Sequence, residues 1–438
     1  MKTLYQWLCL VAFACIALSC TESEVSDNHS VKEYLTRRSL ITKSALETLS
    51  SGISENDVVD YLKIRMSINP DEIKDITRYD ITEDSYVFIV NLLRGGWYIF
   101  SGDYSSSPVL VEGEKGDFYV DDQLSKHDRL MLESIVSLIR KNRESNSDYA
   151  ITNQRIWANV ILSARNMTPG LNMLNLGDPD TMDVSIDVYL DTIWNDDFPF
   201  LTQTNWWPST PFNNATPFVE KGGDRCFVGC AVIAIAQLLY YTHYAFGYPN
   251  FIYSKAECTD LYSAKTYNYV FSGYTNTSWD KMSKSYADAY QNHADSPYEA
   301  ALCAMISNRS NTRYDPEGGS TSRDDIAGTL EYFTLTGTKM NDFVHETIFN
   351  EIKQKRPVLC SGESSTTGHA YIIDGFKRLY VLSVEEIRDM NGNVIARTTD
   401  VWANDLKWYI NTGEPRRILI EDNAYYPKNR KIYTGWGR

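Results

Sequence analysis

Arg225-Cys-Phe-Val-Gly-Cys-Ala-Val-Ile-Ala-Ile-Ala-Gln-Leu-Leu-Tyr-Tyr241 is the stretch on which the fold turns. From Cys230 onward it holds no charged residue, and small side chains recur at Ala231, Ala234 and Ala236. That is the pattern of a helix buried all round, with room for another wall of the protein to approach closely. The helix is expected to start near Gly229. A cysteine in its first turn lies at the positive end of the helix dipole, which stabilises a thiolate. The N–H of that residue has no intrahelical acceptor and is available to an oxyanion. A plain core helix that begins with cysteine, with Cys226 as disulfide partner of Cys230, accounts for the same letters.

A second stretch, Arg356-Pro-Val-Leu-Cys-Ser-Gly-Glu-Ser-Ser-Thr-Thr-Gly-His-Ala-Tyr-Ile-Ile-Asp-Gly-Phe376, reads as a short strand, a Ser/Thr/Gly loop and a second strand ending at Asp374-Gly375. His369 stands at the head of that second strand, where its ring can face a cleft. Among the 6 histidines it alone sits between a glycine and an apolar strand. A structural histidine would read the same way in isolation. Taken with Cys230 it suggests a nucleophile and base that are neighbours in space, not in sequence. Asp374 is not the third member, because five residues of extended chain place it about 16 Å from His369.

The remaining composition narrows the class. The 438 residues suit more than one core, and a hydrophobic fraction of 43% with 13% aromatics is globular. A net charge of −15 argues against nucleic acid as a partner. Met1–Leu18 carries an apolar run too short to span a bilayer, and Ala17-Leu18-Ser19-Cys20 resembles a bacterial lipobox. The resemblance implies a signal peptide over 1–19, lipidation of Cys20, a polar tether over 20–30 and a lipid anchor in the bacterial cell envelope, on the outer membrane or cell surface. An ordinary secretory signal is the alternative. Five further cysteines, Cys226, Cys230, Cys258, Cys303 and Cys360, leave at least one thiol unpaired. No CxxC or HExxH spacing suggests a metal, and Gly318-Gly319-Ser320 lacks the lysine of a phosphate loop. No cofactor is expected.

Along the first half, Val31–Ile68 has helical apolar spacing. Ser85–Leu93 and Trp97–Phe100 flank Gly95-Gly96 as a hairpin, and Pro108-Val-Leu-Val-Glu-Gly113 continues the strands. Leu130, Leu132, Ile135, Val136 and Ile139 mark a helix. Seams are read at 141–148 or 166–183, with the boundary placed near 175. A long helix followed by strands in the second half predicts an α+β class. Asn391-Gly392 between strand-like runs signals a hairpin.

Gly229-Cys-Ala-Val-Ile-Ala-Ile-Ala-Gln-Leu-Leu-Tyr-Tyr241 resembles the nucleophile helix of the streptopain family of cysteine peptidases, and Gly368-His-Ala-Tyr-Ile-Ile-Asp-Gly375 resembles its histidine strand. Asn91–Gly116 is similar to the propeptide of those zymogens, so the likeness runs from about residue 80 to the C-terminus. It implies a papain-like fold over 176–438, with a helical and an antiparallel-sheet subdomain. It also implies an α+β pro-domain over 31–175, acting as an intramolecular inhibitor, and protein or peptide substrates. Cys230 is then the nucleophile and His369 the base, and their ion pair is expected to depress the thiol pKa.

Two departures from the family pattern stand out. Trp206-Trp-Pro-Ser-Thr-Pro-Phe-Asn213 puts Pro208 where the family has an oxyanion glutamine, leaving Gln203 as the stand-in. Trp408-Tyr-Ile-Asn-Thr-Gly-Glu414 offers Asn411 to orient the imidazole, with Thr412 in place of a tryptophan. Two other functions therefore stay open. One is a catalytically impaired member acting as a surface binding or inhibitory protein. The other is a papain-fold acyl transferase.

Overall fold

The computed structural model describes residues 52–438 except 122–123, 146, 165–184, 221–222, 249–254, 260–265, 271–277, 294–296, 336–337, 341, 364–366, 389–393, 415, 423, 426–427 and 435–438. The signal sequence, Cys20 and the helical spacing over 31–51 lie outside the described residues, as does the boundary near 175. Backbone alone is described for 185–196, 255–259, 266–270, 379–388 and 394–405, so the Cys258 side chain is also outside them.

The N-terminal half opens on α1 (Glu55–Met66), started by a capping box in which Ser54 and Asp57 exchange hydrogen bonds. A meander follows: β1 (Ile73–Thr82), β2 (Ser85–Leu92), β3 (Trp97–Ser101) and β4 (Val109–Gly113). β2 and β3 form the antiparallel pair expected around Gly95-Gly96, both of which have positive φ. Two helices come next, α2 (Lys126–Arg143), capped by the Ser125 hydroxyl, and α3 (Asp148–Ala164). The seam candidate 141–148 thus spans the end of α2 and the start of α3.

The C-terminal half begins with β5 (Ser185–Phe198) and then α4 (Cys230–Phe246), the helix expected at Gly229. The hairpin β6 (Lys255–Thr259) and β7 (Thr266–Val270) leads to α5 (Tyr286–His293) and α6 (Pro297–Arg309). A short hairpin, β8 (Arg313–Asp315) and β9 (Gly318–Ser320), precedes α7 (Arg323–Tyr332), β10 (Thr338–Met340) and α8 (His345–Lys353). The chain closes with β11 (Val358–Glu363), β12 (Gly368–Arg388), β13 (Val394–Glu414), β14 (Arg416–Glu421) and β15 (Lys428–Thr434). The fold is the papain-like α+β arrangement, with helices on both faces of an antiparallel sheet: α4 packs with Leu359 and Ile372, and α2 and α8 pack with Val358 and Ile373 on the other face.

Two features were not legible beforehand. β12 does not end at Asp374-Gly375 but shifts register between Ile373 and Gly375 and continues to Arg388, paired with β13 and β5. Gly375 permits this because a side chain there would meet the Phe198 carbonyl oxygen at 2.3 Å. The turn at Asn391-Gly392 lies outside the described residues, although Arg388 pairs with Val394 on either side of it. The second feature is continuity. Ile418, Leu419 and Ile420 of β14 pair with Gly113, Glu112 and Val111 of β4, so one 11-stranded sheet runs from the N-terminal meander through the C-terminal strands. A single hydrophobic cluster accordingly joins Val87, Ile99 and Ile135 to Phe349, Trp408 and Ile420.

A second cluster surrounds α4. Eleven of its residues from Ala231 to Thr242 are buried, packed by Trp206, Leu302, Ile326 and Leu359. This positions the site, since the first turn of α4 points at β11 and β12 where the two clusters meet.

Candidate active site

Gly229 sets the N-terminus of α4. Its φ of +103° is a conformation that side chains disfavour, and a Cβ there would fall 2.3 Å from the Gly319 carbonyl oxygen. Reciprocally, a Cβ on Gly319 would fall 2.4 Å from the Val228 carbonyl oxygen. The β8–β9 hairpin therefore lies backbone to backbone against the residue before Cys230. Gly318-Gly319, empty of phosphate-loop chemistry, is a cleft wall; the paired glycines are the signal for close backbone approach.

Cys230 and His369 both line one cleft of about 800 Å³. Cys230 keeps part of its surface open, while Cys226, Cys303 and Cys360 are buried. Cys226 and Cys230 are not joined. The Ala370 N–H donates to Cys230 Sγ at 3.3 Å, which docks the sulfur against the residue next to His369. The His369 ring is buried, stacked on Tyr371 with 6.0 Å between centroids and edge-on to Tyr425. Its Nε2 lies 2.9 Å from the Thr412 carbonyl oxygen. A carbonyl only accepts, so in the neutral ring Nε2 carries the proton and Nδ1 is the basic nitrogen.

The orienting group is thus a main-chain carbonyl, not the Asn411 side chain. Asn411 is buried and its Nδ2 donates to Thr202 Oγ1 at 3.1 Å, Thr204 O at 2.6 Å and Gln237 Oε1 at 3.0 Å. Strand alternation explains the exchange, since adjacent residues face opposite ways and Asn411 turns inward. A main-chain role leaves no signature in residue type, so Thr412 was not legible as a site residue.

The Cys230 thiol also departs from expectation. Burial pushes it above its ordinary value, opposed by the amides of Ala370, Ala231 and Cys230 itself. Its polar neighbours here are N–H groups that hold the sulfur without providing a countercharge.

Gln203 does not reach the cleft. Thr202 and Thr204 on either side are buried, so an extended chain turns Gln203 outward, where its Oε1 accepts from Lys284 Nζ at 2.6 Å. Pro208 does line the cleft, with Trp207 and Phe227, and its carbonyl accepts from the Val228 N–H at 2.9 Å. The position expected to hold an oxyanion donor thus carries a side chain without one. Gln203→Ala is accordingly expected to change stability by less than about 0.5 kcal/mol, as for surface substitutions in general. A urea midpoint will check it.

Asp374 lies away from the cleft, beneath the sheet, in the company of Thr202 and Arg417. Ser125, the cap of α2, is on the cleft wall, so the N-terminal half reaches the groove that holds Cys230 and His369. Across the same groove Arg323 pairs with Glu363 at 2.6 Å. Among the described residues, no cluster of His, Cys, Asp or Glu is suited to hold a metal, and no helix is long and apolar enough to cross a membrane.

The Peptidase C10 family profile matches residues 206–391, which include Cys230 and His369. Streptopain of Streptococcus pyogenes is 23% identical over 309 residues, covering 66% of this chain and 68% of streptopain. The structure of a prointerpain A fragment from Prevotella intermedia, carrying a cysteine-to-alanine substitution, superposes with a TM-score of 0.51 at 17% identity. It covers 83% of this chain and 100% of that fragment, and shows the shared fold. The stretch that carries the helix-borne cysteine and the strand-borne histidine on one groove is therefore similar to the Peptidase C10 family and to streptopain.

Proposed function

We propose that the protein is an exported cysteine endopeptidase made as a zymogen, in which Cys230 attacks a peptide carbonyl and His369 manages the proton. The observation that carries the reading is the shared cleft, with Sγ docked beside the His369 strand and the ring held by Thr412. Nδ1 takes the thiol proton, the thiolate adds to the carbonyl carbon, and the imidazolium then protonates the leaving amine. Water hydrolyses the thioester by the same relay. The Cys230 N–H at the start of α4 donates to the oxyanion.

Residues 31–175 act as the inhibitory pro-domain. Support comes from Ser125 on the cleft wall. Anchoring through Cys20 belongs to the same proposal and rests on the lipobox alone.

After limited proteolysis to remove the N-terminal region, iodoacetamide in mildly acidic buffer is expected to modify Cys230 ahead of the other thiols. Cys360 is held at about 12 by burial, and Cys303 is raised further still, so neither competes. Equal modification of all the thiols would refute the assignment.

The impaired-member reading has one observation in its favour, the absence of a side-chain donor at Pro208. Removing such a donor typically lowers turnover about a hundred- to a thousandfold. Under that reading, wild type digests casein no faster than Cys230→Ala even after trimming.

A further inference from the structure

Behind the cleft a buried polar network ties together the elements that carry the two catalytic side chains. Thr202 is its hub. The Thr202 hydroxyl donates to Asp374 Oδ2 and accepts from Asn411 Nδ2 at 3.1 Å and from an Arg417 terminal nitrogen at 2.7 Å. The Thr202 N–H also donates to Asp374 Oδ2 at 3.1 Å, and Arg417 stands 3.6 Å from that oxygen.

Arg417 further donates to the Thr202 and Thr204 carbonyl oxygens. Asn411 continues to Gln237 Oε1, which also accepts from the Trp206 N–H at 3.0 Å. Asp374 lies on the His369 strand, Gln237 on the Cys230 helix, and Arg417 is opposite Asn411 in the β13–β14 register. Asn411 precedes Thr412, whose carbonyl orients His369.

The direction of these bonds is informative. A hydroxyl has one proton, so donating it to the carboxylate leaves the Thr202 oxygen as acceptor for Asn411 and Arg417. A carboxylate at this place is expensive: Asp374 is fully buried and its Oδ1 has no hydrogen-bond partner among the described residues. A neutral side chain would satisfy the fold at lower cost.

We propose that Asp374 is a positioning residue, whose carboxylate polarises the Thr202 hydroxyl toward Asn411 and so fixes the Thr412 carbonyl against His369 Nε2. The proposal rests on the Cys230–His369 pair as the catalytic pair. Asp374 touches neither of them and acts through Thr202 and Asn411.

The charged and titratable groups facing Asp374 are Arg417 from β14 and Tyr241 from α4; the 201–206 segment contributes only the Thr202 amide and hydroxyl. Burial raises the Asp374 carboxyl to about 6, against the opposing effects of Arg417 and Thr202. The sign follows. Above about pH 6 the carboxylate is present and the relay is set; below it the carboxyl is neutral and can itself donate, which frees the Thr202 hydroxyl. For stability the sign is opposite: the folded state holds this proton more tightly than the unfolded chain, so this group favours folding below pH 3.8 and the benefit is lost as pH rises through about 6. A carboxylate that lowers stability where it orders the relay has a use in function.

The test compares trimmed wild type with Asp374→Asn, Thr202→Val and Thr202→Ser. Thr202→Val is isosteric, keeps the main-chain N–H to Asp374 and removes only the relay. Both Asp374→Asn and Thr202→Val are expected to lower kcat about tenfold at pH 7.5 with KM within about twofold, a loss of the size that misplaced catalytic groups cause. Asp374→Asn is also expected to flatten the acid limb near pH 6, and Thr202→Ser to restore wild-type behaviour. Histidine 15N resonances of the Cys230→Ala protein give a readout independent of hydrolysis. His369 is expected as the Nε2–H tautomer with Asp374 intact, and as a mixture in either relay variant.

Wild-type kcat, pH profile and His369 tautomer in a folded Thr202→Val protein would overturn the proposal while leaving the peptidase intact. A trimmed wild type that hydrolyses nothing, with a tautomer still sensitive to Thr202→Val, would instead remove the peptidase reading and leave the relay standing.

Discussion

Replacing Cys230 by alanine is expected to lower casein hydrolysis by the trimmed protein by about 10⁴-fold or more, the loss that follows removal of an attacking group. Self-shortening of the full-length chain should stop with it. The fold should not suffer. Cys230 is partly open to the cleft, and its replacement deletes one sulfur that faces the amides of Ala370, Ala231 and Cys230. A cost of about 1 kcal/mol or less is expected, measured as the urea midpoint. Large loss of activity on an unchanged denaturation curve separates chemistry from stability. Equal hydrolysis by the alanine variant and wild type would assign the activity elsewhere.

Gly229→Ala is expected to be the most damaging single methyl group that the cleft can receive. Two effects add. An L-residue at φ +103° carries conformational strain of about 1–2 kcal/mol. The new Cβ would also lie 2.3 Å from the Gly319 carbonyl oxygen, a backbone atom that cannot rotate aside. The β8–β9 hairpin or the first turn of α4 must then move, and overpacking of this kind costs about 1–3 kcal/mol. A combined destabilisation on the order of 3 kcal/mol is expected from urea unfolding. Because the displaced turn carries Cys230, activity should fall even in the fraction that stays folded. An alanine variant with wild-type midpoint and turnover would show that the hairpin does not press on Gly229.

The elements that bear Cys230 and His369 were legible because each rests on local letters. The charge-free run after Gly229 forces a buried helix, and the Ser/Thr/Gly loop before His369 forces a strand start. The hairpin at Gly95-Gly96 was legible for the same reason. What escaped depends on contacts between distant parts of the chain. Thr412 acts through its carbonyl, which every residue possesses. Gln203 was chosen for its functional group, but its direction follows from burial of Thr202 and Thr204. Pairing of β4 with β14 joins residues far apart in sequence, and neither strand advertises its partner. Extended chain keeps Asp374 too far from His369 to be a triad acid, and that distance does not reveal the relay through Thr202 and Asn411.

The central claim is that His369 governs the ionisation of Cys230, and the pH dependence of Cys230 alkylation in trimmed protein tests it most directly. Wild type and His369→Ala should differ. In wild type, Cys230 is expected to react with iodoacetamide well below the pH of an ordinary thiol, which titrates near about 8.5. In His369→Ala that low-pH reaction should vanish, leaving a single rise on the alkaline side. Superimposable profiles for the two proteins would contradict the account, since the imidazole would then have no hold on the sulfur.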